Sequence, residues 1–191
     1  MTAQNYPFRH VYTGVDKTVK RAIPIKSIKA LKEMDLAMNS ALDFARDMFL
    51  FSFYTRGMSF VDMAYLKKTN LQNGILTYRR RKTGQELSIK WEKCMAEIIA
   101  KYPENKTDSL LPIIKDEGDE RRQYDSALHL VNYRLKELST MLKLQRPLTM
   151  YVARHSWASA AKAKNVPLSV ISEGMGQPST RVTWWLALPK K

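Results

Sequence analysis

The stretch Ser40–Tyr54, SALDFARDMFLFSFY, constrains this chain more than any other, because its centre is apolar nearly all round when wound as a helix. That distribution marks a buried helix rather than a surface one. With 45% hydrophobic residues among 191, the chain can enclose it in a real core, and the composition argues against disorder. The length fits one ordinary domain.

Around this helix the sequence predicts further helices and one change of period. Residues 1–23 are rich in basic and β-branched residues without helical spacing, and read as an extended arm or linker. After Pro24, SIKALKEM begins a helix with Ser27 as its N-cap. Ser59 and Asp62 stand at the capping-box spacing and open a short helix. At Ile75 the period becomes two: ILTYRRR and ELSIKW flank Lys82-Thr-Gly-Gln85, which predicts a β-hairpin with glycine in the turn. Helical patterning resumes over 91–101, stops at Pro103 and restarts near Arg121. Another helix runs from Pro147-Leu-Thr149 to Lys164, and Pro167 sits near the first turn of the next. Segment 102–120 reads as an exposed loop, and the ending GQPSTRVTWWLALPKK shows no clear period. The expected fold class is mainly α with a small antiparallel β-sheet (α+β).

Charge narrows the partners. Thirty-two basic residues against 18 acidic ones give +14 and a pI near 9.9. Such a surplus repels itself in the folded state, so an anionic partner is expected. Nucleic acid comes first, an anionic membrane surface second, and a merely solvated basic surface is the bland alternative. No apolar run approaches the roughly 20 residues that span a bilayer. The start MTAQNYPFRHVYTGVDK lacks the apolar core of a secretion signal. The single cysteine, Cys94, excludes an internal disulfide and a cysteine-built zinc site, and its neighbours Trp91, Met95 and Ile98 suggest a buried structural thiol. A soluble, intracellular protein is the expectation.

Four features could carry chemistry. Arg79, Arg80, Arg81 and Lys82 crowd one strand and its turn, and successive strand residues point to opposite faces. They form either a basic hairpin entering a nucleic-acid groove or an edge strand protected by charge. Arg154-His155 lies in the small-residue helix YVARHSWASAA, where an arginine is a buried ion-pair partner or an anion ligand. Arg56-Gly57 occupies the turn before a helix start, where a phosphate could be held; a surface arginine beside a flexible glycine is the alternative. Glu173-Gly-Met-Gly176 has the glycines of a helix C-cap.

Taken in order, ALDFARDMFLFSFYTRGMSFVDMAYLKK, the hairpin ending RRRKTG, the box TMYVARHSWASAAK and VPLSVISEGMGQPS resemble the catalytic domain of tyrosine recombinases. The likeness is greatest to integrases of mobile and conjugative elements, and runs over residues 24–186. The resemblance implies a recombinase catalytic-domain fold over 24–191 and DNA integration and recombination by phosphotyrosyl strand transfer. In that chemistry a tyrosine hydroxyl attacks a DNA phosphate, forms a 3′-phosphotyrosyl link and expels a 5′-hydroxyl. No metal and no cofactor is implied, since the bond energy is kept in the phosphotyrosine. Two arginines neutralise the phosphate, a hairpin lysine protonates the leaving oxygen and histidines assist proton transfer. The implied partners are double-stranded DNA and other recombinase protomers, with no membrane and no small-molecule substrate, in a bacterial cytoplasm.

Carried over by position, Arg154 matches the arginine of the His-x-x-Arg box and Lys82 the hairpin lysine. Tyr151 stands where that box begins with histidine. Ser59 falls on the first arginine position, with Arg56 one turn upstream as the other source of charge. Gln177 replaces the histidine expected after Gly-Met-Gly; its amide donates but transfers no proton. At the nucleophile position the sequence has VTWWLA, with Trp185 nearest, and no tyrosine follows Tyr151. Tryptophan has no hydroxyl and forms no phosphoester. Arg79, Arg80, Arg81, Lys82 and His155 are the expected DNA-binding residues. The resemblance further implies that the helical domain clamping DNA from the other side, and the last helix exchanged between protomers, have no counterpart in this chain. Such a chain would bind DNA without cleaving it; a regulatory module occupying recombination sites is the alternative.

Overall fold

Helix α1 (Ile25–Glu33) starts at Pro24, whose carbonyl accepts from the amides of Ser27 and Ile28 at 3.0 and 3.2 Å. The computed structural model describes residues 21–177; the expected arm up to Lys20 and the ending that holds Trp184 and Trp185 lie outside the described residues. Pro24 rather than Ser27 is therefore the N-cap: Ser27 already sits in the first turn, because the proline's extended backbone hands its carbonyl to the helix without a side-chain cap. Just before it, the amide of buried Ile23 donates to Ser156 Oγ at 3.0 Å, fastening the entry of the chain.

Helix α2 (Ser40–Tyr54) has the bounds its pattern predicts, with Asn39 Oδ1 accepting from the Leu42 amide at 3.1 Å. Its residues Asp47 to Ser52 are all buried, so it is enclosed on every side. α4 (Lys93–Ala100), α5 (Glu120–Met141), α6 (Met150–Ala163) and α1 pack around it. The one charge in that run, Asp47, is held by Arg46 Nε, Lys101 Nζ at 2.5 Å and the Tyr102 hydroxyl at 2.8 Å. A buried carboxylate is tolerated only when donors surround it in this way.

The short helix α3 (Phe60–Ala64) is capped by Ser59, whose Oγ accepts from the Asp62 amide at 3.3 Å. The hairpin is present as β2 (Ile75–Arg79) and β3 (Glu86–Lys90), paired antiparallel with Leu76 opposite Ile89 and Tyr78 opposite Leu87. These four residues are the buried ones, so one face of the hairpin joins the core. A two-residue strand β1 (Leu71–Gln72), without enough length to show a period, pairs on the far side of β2 in the order β1-β2-β3. The last described helix, α7 (Leu168–Gly174), rests on α6 through a separate small apolar cluster of Ala158, Ile171 and Met175.

Two further expectations need correction. Segment 102–120 is not a freely exposed loop, since Leu111, Ile113 and Ile114 are buried and Asn105 Nδ2 donates to the Leu111 and Ile114 carbonyls. Its exposed residues are Pro103, Glu104, Lys106, Asp108 and the run Lys115 to Glu120. Cys94 is half-buried, because α4 turns Met95 and Ile98, not Cys94, into the core. No helix among the described residues is long and apolar enough to cross a membrane.

The enclosure of α2 predicts a sharp contrast. Phe49→Ala, at a fully buried position, should lose about 3–5 kcal/mol of unfolding free energy. Met38→Ala, at a fully exposed one, should stay within about 0.5 kcal/mol of the parent in the same denaturant titration.

Candidate functional site

A cleft of about 510 Å³ opens between α3, α5, α6 and the turn of the hairpin. Its lining includes Ser59, Arg80, Lys82, Tyr151, Arg154 and Gln177. Four distant stretches of sequence thus converge on one concavity, and five of these six are residues the sequence had singled out for chemistry at a phosphate.

Arg154 is the best-defined member. It projects from the middle of α6, is 5% exposed, and donates from Nη1 to the Gly57 carbonyl at 2.6 Å and from Nη2 to the Met175 carbonyl at 2.7 Å. Of the two open alternatives, the ion pair is not what the described residues show: the side chain is buried, but its partners are backbone carbonyls and no acid pairs with it among the described residues. Burial, and next the positive charge of Arg80, push the pKa of its guanidinium down to about 10, well below the usual arginine range. It therefore remains charged near neutral pH, in a place where water solvates it poorly.

Backbone geometry makes room for it. Gly57 has a φ of +74°, and a Cβ there would lie 2.7 Å from the Arg154 Cα. Only glycine permits both the left-handed turn and the approach of the two backbones. The preceding Arg56 also has a positive φ, of 60°. Its side chain runs along Gly174 of α7, near Trp157, and is not among the residues lining the cleft.

The remaining candidates separate by position. Ser59 lines the cleft, but its hydroxyl donates to Asp62 Oδ2 at 2.5 Å as well as capping α3. Tyr151 sits one turn before Arg154, is 50% exposed and packs edge-on to His155, with ring centroids 4.5 Å apart. His155 itself is buried and does not line the cleft. Gln177 closes the turn after α7, its backbone N–H donating to the Ser172 carbonyl at 2.9 Å. Trp185 lies outside the described residues.

Strand alternation splits the basic run. Arg80 turns inward on the face of Leu76 and Tyr78. Arg79 turns outward, where Nη1 reaches the Gly84 carbonyl and Nη2 lies 3.7 Å from Glu86. Arg81 stacks on the Tyr65 ring, 3.8 Å from its centroid, over a second, mixed-charge cleft. Lys82 is exposed at the rim of the first. Sequence reasoning missed Asp62 beyond its capping role: this buried carboxylate also accepts from the Arg81 amide at 2.9 Å, tying the hairpin turn to α3. Its spacing from Ser59 was visible, but its partner 19 residues away was not. No three His, Cys, Asp or Glu side chains come together as a metal-binding group among the described residues.

No protein-family model matches the sequence, and no curated protein matches it. Solved structures do. XerA recombinase superposes with a TM-score of 0.65 at 13% identity, over 89% of this chain and 61% of that one. XerH site-specific recombinase, in a pre-cleavage complex with its difH substrate, gives 0.64 at 14%, over 98% and 56%. A lambda integrase dimer bound to a COC′ core site gives 0.58 at 13%, over 91% and 49%. This chain has the tyrosine recombinase catalytic-domain fold. At such identities the likeness is one of fold, and the chain spans about half to three-fifths of the length of these recombinases. The likeness of fold covers the helices and the small three-stranded antiparallel sheet described above.

The Gly57–Arg154 approach gives a test of the geometry. Gly84 also has a positive φ, but a Cβ there meets nothing within 4 Å. Gly84→Ala should cost about 1–2 kcal/mol from backbone strain alone. Gly57→Ala should cost about 1–3 kcal/mol more, from forced displacement of α6, when both are unfolded in urea.

Proposed function

We propose that this chain binds double-stranded DNA through the cleft, as the catalytic-domain portion of a site-specific tyrosine recombinase of the mobile-element integrase kind. The observation that carries the reading is Arg154: a buried guanidinium beside a cleft, held by two carbonyls, with no acid to neutralise it among the described residues. Of its five N–H groups two donate to carbonyls of the described residues, and the others are available to an anion. A DNA phosphate supplies the missing negative charge, and the +14 balance of the chain favours the same polyanion. In this reading residues 24–191 are one catalytic domain preceded by an arm, located with DNA in the cytoplasm and working alongside other recombinase protomers.

The roles follow from reach. Arg154 holds the non-bridging oxygens. Lys82, exposed at the rim, offers a proton to the leaving 5′-oxygen. Tyr151 and Gln177 donate hydrogen bonds, and Ser59 adds polarity without charge. Arg79 and Arg81 reach flanking backbone, and His155 supports Tyr151 from behind. The missing part is the nucleophile. Strand cleavage needs a hydroxyl oxygen aligned opposite the leaving oxygen. The sequence offers Trp184 and Trp185 where the resembled family has tyrosine, and Tyr151 shares a helix face with Arg154, which suits a phosphate ligand. This 191-residue chain therefore binds without cutting. The same two features, tryptophan at 185 and glutamine at 177, favour a second reading as a regulatory module that occupies recombination sites.

Two measurements check this. Affinity for a duplex should be micromolar or weaker and fall steeply between low and moderate salt; Arg154→Ala should weaken it about tenfold further. Lys93→Ala, whose side chain is 90% exposed on α4 away from the cleft, should match the parent. A salt-insensitive affinity, or equal binding by well-folded Arg154→Ala, contradicts phosphate capture at the cleft. On a nicked suicide substrate the chain should leave no denaturant-stable protein–DNA band; such a band mapped to Tyr151 would make that residue the nucleophile.

A further inference from the structure

A groove of about 600 Å³ lies between the start of α2, the chain after α4 and the outer side of α5. Its apolar wall includes Phe44, Tyr102, Pro103, Pro112, Ala127 and Leu130. The shape is held without an occupant. Phe44 packs edge-on to Tyr102, with ring centroids 5.6 Å apart, and the Tyr102 hydroxyl is anchored on buried Asp47. Asn105 Nδ2 and Thr107 Oγ1 both donate to the Ile114 carbonyl, at 2.8 and 3.1 Å, so this stretch of chain is kept from closing the space. Apolar surface therefore stays open to water. Leu130 is half exposed, and Met38, two positions before the lining begins at Ser40, is fully exposed. A contiguous apolar patch rimmed by polar groups marks a contact surface.

Charge and shape together identify the partner. The groove sets Glu104 and Asp116 against Lys106 and Lys115, a balanced rim, whereas the first cleft is lined by Arg80, Lys82 and Arg154 without an acid. Two copies of a chain at +14 repel each other over most approaches. They can meet where the local balance is zero and both signs are present. Glu104 is engaged by Lys68 at 3.0 Å, but Lys106, Lys115 and Asp116 enter no ion pair among the described residues. A hollow and a protruding side chain also adjoin on this face. The turn that carries Met38 is fixed by the Asn39 amide, which donates to the Leu36 carbonyl at 2.9 Å. A two-fold contact needs such self-complementary features side by side, because every contact in it is made twice.

We propose that this groove is the contact face between two copies of the chain related by a two-fold axis, with Met38 of each seated in the groove of the other. An unbranched thioether adapts well to an irregular gap. Lys115 of each copy faces Asp116 of its mate at the rim, which sets the register of the pair. Along α5, Tyr124, Leu128 and Asn132 line the first cleft, while Ala127 and Leu130 line the groove, so the two open on different sides of the helix. A pair therefore keeps both clefts free and holds two duplex segments at once. That consequence rests on the DNA-binding reading; the pairing itself does not.

Sedimentation of the full chain without DNA tests the pairing. The parent should pass from monomer to dimer on the order of tens of micromolar, as for a small contact between like-charged copies. The dimer should tighten as salt rises, because screening weakens the repulsion and leaves apolar burial intact; binding to DNA has the opposite dependence. Leu130→Asp and Met38→Asp should each weaken pairing about tenfold or more. Met38→Ala, neutral for the fold of a single copy, should weaken it about fivefold. Lys115→Glu should also weaken it, and adding Asp116→Lys should restore it. The exchange leaves the fold alone, since backbone amides of these two residues, not their side chains, are held by Gln123. Lys93→Ala should match the parent. Should Leu130→Asp fail to fold, Met38→Asp decides, at a position with no buried surface to lose. A monomer at every concentration up to the order of a millimolar, or a dimer that salt loosens, overturns the proposal. So does a dimer indifferent to the Leu130 and Met38 variants, which would place the contact elsewhere. At dilute protein, Leu130→Asp should bind a short duplex like the parent. A loss there would make groove and DNA surface one, and overturn their separation. A parent that pairs as expected but binds no duplex would overturn the DNA-binding reading and leave the pairing in place.

Discussion

Everything at the cleft depends on one buried cation bonded to two peptide carbonyls. Arg154 connects the turn after α2, the middle of α6 and the end of α7 through Gly57 and Met175. An acid in the place of those carbonyls would fix the side chain equally well and cancel its charge. Carbonyl dipoles orient the guanidinium while leaving its positive charge unneutralised, which is what a site for an anion requires. Desolvation costs something in return, and the lowered basicity of Arg154 records it.

That arrangement explains why two glycines flank the arginines. Gly57 lets the α2–α3 turn lie against the α6 backbone, and Gly176 lets the hairpin close on the turn after α7. Asp62 completes the frame, accepting from Arg81 and Ser59 so that α3 and the hairpin turn move as one piece. The polar residues around the cleft are thus mostly ties between backbone segments, and few of them face the open space.

Much of this was legible in the sequence where a periodic signal was long. The bounds of α2, the capping of α3 by Ser59 and the inward parity of Leu76 and Tyr78 all follow from spacing. The split of Arg79, Arg80 and Arg81 onto different faces was visible in the same alternation. What alternation could not reveal is that the inward arginine would meet α7, a contact 96 positions away in the chain. Short or aperiodic features were equally opaque: β1 spans two residues, and the three aliphatic anchors within 102–120 carry no period of their own. The partner of Arg154 was illegible for a further reason, since a backbone carbonyl leaves no mark in residue type.

The attachment of α7 has a consequence for the timing of order within the molecule. This seven-residue helix is held by a satellite cluster apart from the main core and by the two arginine–carbonyl bonds. Local opening of so lightly anchored an element requires far less free energy than global unfolding. When α7 lifts, the Met175 and Gly176 carbonyls leave together, so Arg80 loses its carbonyl partner and Arg154 keeps only that of Gly57. The lifetime of a competent cleft is therefore set by the breathing of its smallest packed unit, and amide exchange in α7 is the clock on which that lifetime would be measured.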